Sequence, residues 1–216
     1  MPSLDAARRR LFDEIARTVH DLRVLKAIEE VPRERFVSPD LASRAYEDNP
    51  LPIGEGQTIS QPLIVAIMSE ALDLKGDERV LEVGTGSGYQ AAVLAHLARE
   101  VVSVERFPTL AQEARERLES LHLENVSVNV TEEGSIGWPD GAPYDAILVT
   151  AAAPYVPQAL LDQVKDGGRI VIPVGPRNSQ ELLVVTRRGD RVARKSLGGC
   201  RFVPLIGSQA WPPENL

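Results

Sequence analysis

VLEVGTGSGYQ, residues 80–90, reads as the end of a strand, a glycine turn and the start of a helix. Val80, Leu81 and Val83 form a short apolar run with β-branched residues, as a strand covered on both faces requires. Gly84, Gly86 and Gly88 follow within five residues, and Tyr89 opens an alanine-rich helical stretch to Leu97. Glycines at a strand-to-helix turn permit a tight bend and a close approach of backbone to ligand. Ligands of open α/β sheets lie beyond the carboxyl ends of the strands, so the turn suits a nucleotide-like cofactor. The alternative is a tight connection with no ligand, which one glycine would already provide. The spacing G-x-G-x-G is one residue shorter than the dinucleotide fingerprint, which argues against a hydride-transfer cofactor.

Outward from this turn the same alternation continues. VVSVE (101–105), VSVNV (126–130), YDAILVT (144–150) and RIVIPVG (169–175) read as further strands. Helices are expected over 110–121 and 156–164, with Gly167-Gly168 as punctuation before the last of these strands. LLVVTRRGDRVARKSL reads as a hairpin about Gly189-Asp190. Counting the hairpin as two, this predicts a doubly wound α/β fold with a mostly parallel seven-stranded sheet and an antiparallel C-terminal edge. Ahead of it, Leu4, Leu11, Ile15 and Val19 stand at helical spacing, and Leu22 to Ile28 continues a second helix, giving an N-terminal helical extension. VPRERFVSPD breaks with two prolines. LPIGEGQTISQP (51–62) follows, and 63–72 reads as a buried helix.

The chain has 216 residues, 43% apolar and 25% charged, enough for a sizeable core. Its net charge of −7 lacks the basic field that attracts nucleic acid. Arg8-Arg9-Arg10 and Arg187-Arg188 read as solvated arginines. Cys200 is the one cysteine, so no internal disulfide forms; it reads as a small buried residue in a protein of a reducing compartment. His20, His96 and His122 lack metal-ligand spacing, so no metal is expected. The N-terminus has no apolar signal core, and no run approaches the ~18 residues that span a bilayer. A cytoplasmic protein acting on neither nucleic acid nor membrane is the expectation.

VLEVGTGSGYQ, VVSVER, PYDAILVTAAAP and GGRIVIPVG together resemble the motif series of class I S-adenosylmethionine-dependent methyltransferases. VPRERFV (31–37), LPIGEGQTISQP and RFVPL (201–205) narrow the resemblance to the protein-L-isoaspartate O-methyltransferase family, over residues 20 to 206. That resemblance implies a Rossmann-like methyltransferase domain over 1–216, with 1–62 as helices and substrate loop and 63–216 as the cofactor-binding core. It implies S-adenosyl-L-methionine as cofactor, isoaspartyl peptides and proteins as substrates, protein repair as the role, and a monomer. The alternatives are a class I methyltransferase of another carboxylate or hydroxyl, or a degenerate member that binds nucleoside or protein without catalysis.

Methyl transfer from a sulfonium is an in-line displacement helped by positioning and by exclusion of water. A carboxylate acceptor is already ionised near neutral pH and needs no general base. By the resemblance Ser60 is the active-site residue, its hydroxyl holding one carboxylate oxygen while the other attacks. The alternative is that Ser60 caps the helix that Pro62 begins. Neither Ser60 nor Ser87 sits in a nucleophile elbow, so covalent catalysis is rejected. TAAAP (150–154) lacks the amide or acid that base-methylating relatives carry there.

The resemblance further assigns cofactor contacts to Thr58, Ile59 and Gln61, and to Glu82, Gly84, Thr85, Gly86, Ser87 and Gly88. Glu105, ending the second of these strands, would accept from the ribose hydroxyls, beside Arg106; a pair with Arg106 is the alternative. Thr150 and the Glu133-Gly134 segment complete the set. Glu133 stands where the family has an aspartate facing the adenine, and Glu132 replaces a glycine. Substrate contacts are expected from Ile53, Gly54, Ser60, Ala151, Ala152, Arg201 and Val203. Arg201 is also readable as a surface arginine, and Val203 as core packing. Gly54 and Gly56 are expected to shape the bend of the 51–62 stretch.

Overall fold

The computed structural model describes residues 3–213. Helix α1 (Leu4–Ile15) starts at Ser3, whose hydroxyl accepts from the Ala6 N–H, and α2 (Leu22–Glu30) starts at Asp21, which accepts from Arg23 N–H at 2.8 Å. These side chains satisfy amides that a helix start leaves unpaired. The first helix ends sooner than its periodicity suggested. Val19 lies beyond it yet is fully buried, because a turn carries it back to the core. VPRERFVSPD forms two short 3₁₀ segments, Arg33–Phe36 and Pro39–Arg44. Arg33 is fully buried; its Nε donates to Ala45 O at 2.8 Å and its guanidinium lies 5.1 Å from the ring centre of Tyr89. Burial lowers its pKa to about 10, which still leaves it charged.

Residues 51–59 form a small antiparallel pair, β1 (Leu51–Pro52) and β2 (Thr58–Ile59), and α3 (Pro62–Leu72) follows. The main sheet is built from β3 (Arg79–Val83), β4 (Glu100–Glu105), β5 (Val126–Val130), β6 (Tyr144–Val149), β7 (Val164–Val174), β8 (Gln180–Arg188) and β9 (Arg191–Cys200). Helices α4 (Tyr89–Ala95), α5 (Pro108–Ser120) and α6 (Gln158–Gln163) connect them. The seven strands lie in the order β5-β4-β3-β6-β7-β8-β9. Neighbours from β5 to β7 are parallel, while β8 is antiparallel to both β7 and β9. The chain steps outward from β3 to β5 and then returns to β6 on the other side of β3. That reversal opens a crevice beyond the carboxyl ends of β3 and β6.

The apolar runs alternate between the two faces of the sheet. Val80, Val101, Ala146, Leu148 and Val171 face the layer that holds α1, α2, α3 and α4. Leu81, Val102, Ile147, Val149 and Ile170 face the other layer, with Leu160 of α6. Each fully buried side chain of this kind contributes roughly 1.5–3 kcal/mol relative to exposure. The N-terminal helices thus share one core with the sheet.

Three local expectations are revised. Gly167-Gly168 do not precede β7 but lie within it, at a register irregularity opposite Tyr144 and Ala146. A Cβ on Gly168 would stand 2.7 Å from Asp145 O, so the close strand approach requires glycine. Arg9, Arg10 and Arg188 are exposed as expected, but two arginines are tied down: Arg187 Nη1 donates to Leu161 O and Val164 O at 3.0 and 2.8 Å, capping α6, and Arg8 Nη2 donates to Glu29 O. Cys200 is half-buried, and burial pushes its thiol up to about 11. The hairpin lies where expected, with Arg188 opposite Arg191. Among the described residues no helix is long and apolar enough to cross a membrane, and no group of His, Cys, Asp or Glu could hold a metal ion.

Candidate active site

A cavity of about 430 Å³ occupies the crevice beyond β3, β4 and β6. Its floor is the glycine turn. Gly84 has φ +100, and a Cβ there would overlap the Thr150 hydroxyl, which donates to Gly84 O at 2.5 Å. Gly88, with φ +89, lies below the floor, where an added Cβ would stand 3.2 Å from Ala114 Cβ. Both positions therefore need glycine, one for contact with the end of β6 and one for contact with α5.

Glu105, only 6% exposed, ends β4 and borders the cavity. Its Oε2 accepts from Gly86 N–H at 2.9 Å; its Oε1 accepts from the N–H groups of Arg106 and Phe107 at 2.8 and 3.0 Å. One carboxylate thus joins the two loops that flank the crevice, by charge-assisted bonds worth roughly 1.5–3 kcal/mol each. The Arg106 guanidinium does not take the alternative role of its partner. It lies over the Phe107 ring, 4.5 Å from the centroid.

Beneath the floor is a second, fully buried carboxyl, Glu82. Ser103 Oγ donates to its Oε2, and Thr85 Oγ1 lies 2.5 Å from Ser103 Oγ. Burial pushes the Glu82 carboxyl up to about 8, against the Ser103 bond and with the nearby Glu105 charge adding to the rise. Glu82 is not a wall of the cavity. It supports the glycine turn from below through Ser103 and Thr85.

The roof is the β1–β2 hairpin. Gln57 N–H donates to Gly54 O at 3.1 Å, and the two central residues, Glu55 and Gly56, both have positive φ, +58 and +65. This is a two-residue turn of type I′. The bend is therefore made by Glu55 and Gly56, not by the pair of glycines expected from sequence. Thr109 Oγ1, in the first turn of α5, donates to Glu55 Oε1 at 2.6 Å and latches the tip. Glu55, Gln57, Thr58 and Ile59 border the cavity, whereas Ile53 and Gly54 pack behind them, toward Gly86 and Leu110.

Ser60 stands where two hollows meet. It borders the main cavity and also a smaller pocket of about 130 Å³ lined by Gln61, Ile64, Cys200, Arg201 and Phe202. Thr58, Thr150 and Val203 are likewise common to both. Ser60 does not cap α3: the cap residue is Gln61, and no side chain of its own closes the turn. Asp48 does so from a distance, accepting from Leu63 N–H at 2.9 Å and from Gln61 Nε2 at 2.6 Å. This turns Gln61 away from the main cavity and leaves the Ser60 hydroxyl uncommitted among the described residues.

Of the remaining expected residues, Gly84, Thr85, Gly86, Ser87, Arg106, Thr150, Ala151 and Val203 border the main cavity. Ala152 is buried behind it, exchanging backbone bonds of 2.8 Å with Val203 and Leu205. That clasp carries RFVPL to the end of β6. Arg201 is exposed and lines the smaller pocket. Glu132, Glu133 and Gly134 are exposed and outside the lining; Ser135 N–H donates to Glu132 O at 3.1 Å, so a tight turn holds both carboxylates in solvent. Thr131 and Ser135 take the places on the wall instead. Sequence reasoning also missed Gln90, Phe107 and Gln57. The signal for Gln90 was present, a long polar side chain in an otherwise apolar first turn.

The fold and this site define the class: an α/β methyltransferase domain of the S-adenosylmethionine-dependent kind. A solved protein-L-isoaspartate O-methyltransferase superposes with a TM-score of 0.82 at 32% identity, covering 94% of this chain and 67% of that one. A second solved structure, from Plasmodium falciparum and in complex with S-adenosyl-L-homocysteine, shares the fold with a TM-score of 0.77 at 23% identity, covering 91% of this chain and 96% of that one. The family model described as protein-L-isoaspartate(D-aspartate) O-methyltransferase matches residues 7–210. A curated protein-L-isoaspartate O-methyltransferase of Syntrophobacter fumaroxidans is 51% identical over 98% of this chain and 99% of its own. That of Methanoculleus marisnigri is 55% identical over 94% and 92%. The chain belongs to the protein-L-isoaspartate O-methyltransferase family.

Proposed function

We propose that the protein transfers a methyl group from S-adenosylmethionine to the free α-carboxyl of L-isoaspartyl residues in damaged proteins. The observation that carries this reading is Ser60, with an uncommitted hydroxyl at the junction of the two hollows. The larger hollow fits the cofactor. Its floor is the turn of Gly84 and Gly86, and Glu105, after taking three backbone N–H groups, retains one acceptor site for a ribose hydroxyl. The smaller hollow fits an isoaspartyl segment, with Arg201 as a cation at its rim and Ile64 and Phe202 as apolar walls.

The bound cofactor supplies an electrophilic methyl group on a sulfonium. The chain's own contribution is positioning. Ser60 donates to one oxygen of the substrate carboxylate and leaves the other to attack. The hairpin and the RFVPL segment exclude water, which strengthens every electrostatic contact in the site. No general base is required, because the acceptor carboxylate is already ionised near neutral pH. The methyl ester formed is then open to attack by the next backbone nitrogen, which expels methanol and closes a succinimide; hydrolysis returns part of it to aspartate.

The enzyme is proposed to act as a cytoplasmic monomer on proteins, not on nucleic acid. Its net charge of −7 and its single cysteine support this. The test is methyl incorporation into an isoaspartyl peptide against its aspartyl twin. Labelling of the isoaspartyl form alone is expected, with Ser60→Ala reducing kcat/KM roughly 10–100-fold, the loss of one hydrogen bond to a charged group. Equal labelling of both peptides, or an undiminished Ser60→Ala enzyme, sinks the reading.

A further inference from the structure

Gln90 is 6% exposed and borders the main cavity from α4. Its Nε2 donates to Ser69 Oγ at 3.0 Å, and Ser69 in turn donates its own hydrogen to Val65 O at 2.8 Å within α3. A hydroxyl whose hydrogen is already committed offers only lone pairs. The amide edge facing Ser69 must therefore be the NH₂ edge, so the network fixes which way the amide points. The oxygen Oε1 is then left buried and without a partner among the described residues, on a side chain that borders the cavity. An unpaired buried amide oxygen costs roughly 1–3 kcal/mol, so a ligand that brings a donor to it is bound more tightly.

We infer that Gln90 Oε1 accepts a hydrogen bond from the α-ammonium of the methionine portion of S-adenosylmethionine. This rests on the proposed function. The cofactor carries three kinds of donor: ribose hydroxyls, the adenine amino group and the ammonium. Glu105, at the end of β4, is the acceptor for the first, and Thr131 and Ser135, beyond β5, border the cavity on the side away from α3. Gln90 and Val65 lie on the α3 side, the side that leads to Ser60. With the sulfonium at Ser60, the amino-acid tail is the part of the cofactor left to meet Gln90. The role is one of affinity and of holding the tail, and it makes the site selective for a cofactor with its amine intact.

The experiment uses the full chain and two ligands, S-adenosyl-L-homocysteine and its deamino analogue with hydrogen in place of the amine, titrated by calorimetry. Wild type is expected to prefer the amine-bearing ligand. Gln90→Leu should weaken S-adenosyl-L-homocysteine roughly tenfold and leave the deamino analogue within about twofold. Gln90→Glu keeps an acceptor at Oε1, with the Ser69 hydroxyl turning its hydrogen from Val65 O to the new carboxylate oxygen, and should hold or increase the preference; it carries the test should the leucine variant not fold. Equal loss for both ligands marks a general disturbance of the cavity and overturns the inference. So does an unchanged affinity accompanied by a raised KM for the isoaspartyl peptide, which would assign Gln90 to the substrate. Failure of wild type to bind either ligand would overturn the functional reading, and this inference with it.

Discussion

Glu82 offers the sharpest link between this structure and a measurable free energy. It is a fully buried carboxyl, and its burial raises the pKa from 4.5 to about 8. In the unfolded chain the same group loses its proton near its ordinary value. Below pH ~4.5 both states hold the proton, and Glu82 makes stability no function of pH. Between ~4.5 and ~8 the unfolded state alone is ionised and is favoured, so stability falls as pH rises, by up to about 1.36 kcal/mol per unit. Above ~8 both states are ionised and the penalty stays constant. The interval from 4.5 to about 8 spans about 3.5 units, which sets a ceiling of roughly 4–5 kcal/mol. Relaxation around a buried charge reduces such ceilings, so about 2–3 kcal/mol between pH 5 and 8 is the working figure.

Glu82→Gln keeps the shape and removes the titration. Its amide oxygen still accepts from Ser103, and the unpartnered Oε1 position becomes an NH₂ group. Urea unfolding at pH 5, 6, 7 and 8 gives the difference in stability between variant and wild type. That difference should move in favour of the glutamine variant as pH rises, by about 2–3 kcal/mol over the series. Two parallel pH profiles, offset or superposed, would refute the reasoning, because they would mean that Glu82 titrates alike in both states. The consequence reaches the site through Thr85, which borders the cavity and is tied to Glu82 by Ser103.

Two further perturbations probe the floor and the roof. Gly84→Ala forces a side chain into the space of the Thr150 hydroxyl at a φ of +100, so a loss of about 2–3 kcal/mol in unfolding free energy and at least tenfold in S-adenosyl-L-homocysteine affinity is expected, read by denaturation and calorimetry. Asp48→Ala removes the acceptor for Leu63 N–H and Gln61 Nε2; it should cost about 1 kcal/mol of stability and lower kcat for the isoaspartyl peptide, with cofactor affinity unchanged, in denaturation and steady-state assays.

The sheet was legible because its determinants are local. Runs such as 144–149 carry an apolar residue at nearly every position because both faces are covered, and glycine turns mark where strands hand over to helices. Gly167-Gly168 misled for the same reason: glycine signals a special backbone without saying whether it ends a strand or bends one. The site was legible only in part, since its decisive contacts are remote in sequence. Glu55 adopts a left-handed conformation that nothing in its neighbours requests; the β1–β2 register and the Thr109 latch, 54 residues away, impose it. Gln90 became interpretable only through Ser69, 21 residues earlier on another helix. Ser60 shows the limit most clearly. From its position before Pro62 a helix cap and a cavity-facing hydroxyl were equally consistent, and the choice between them belongs to Asp48, 12 positions earlier than Ser60. Because Asp48 closes the helix, Ser60 need not. A hydroxyl relieved of a structural bond, on a chain held rigid by a neighbour's bond, is what a positioning residue for a carboxylate requires.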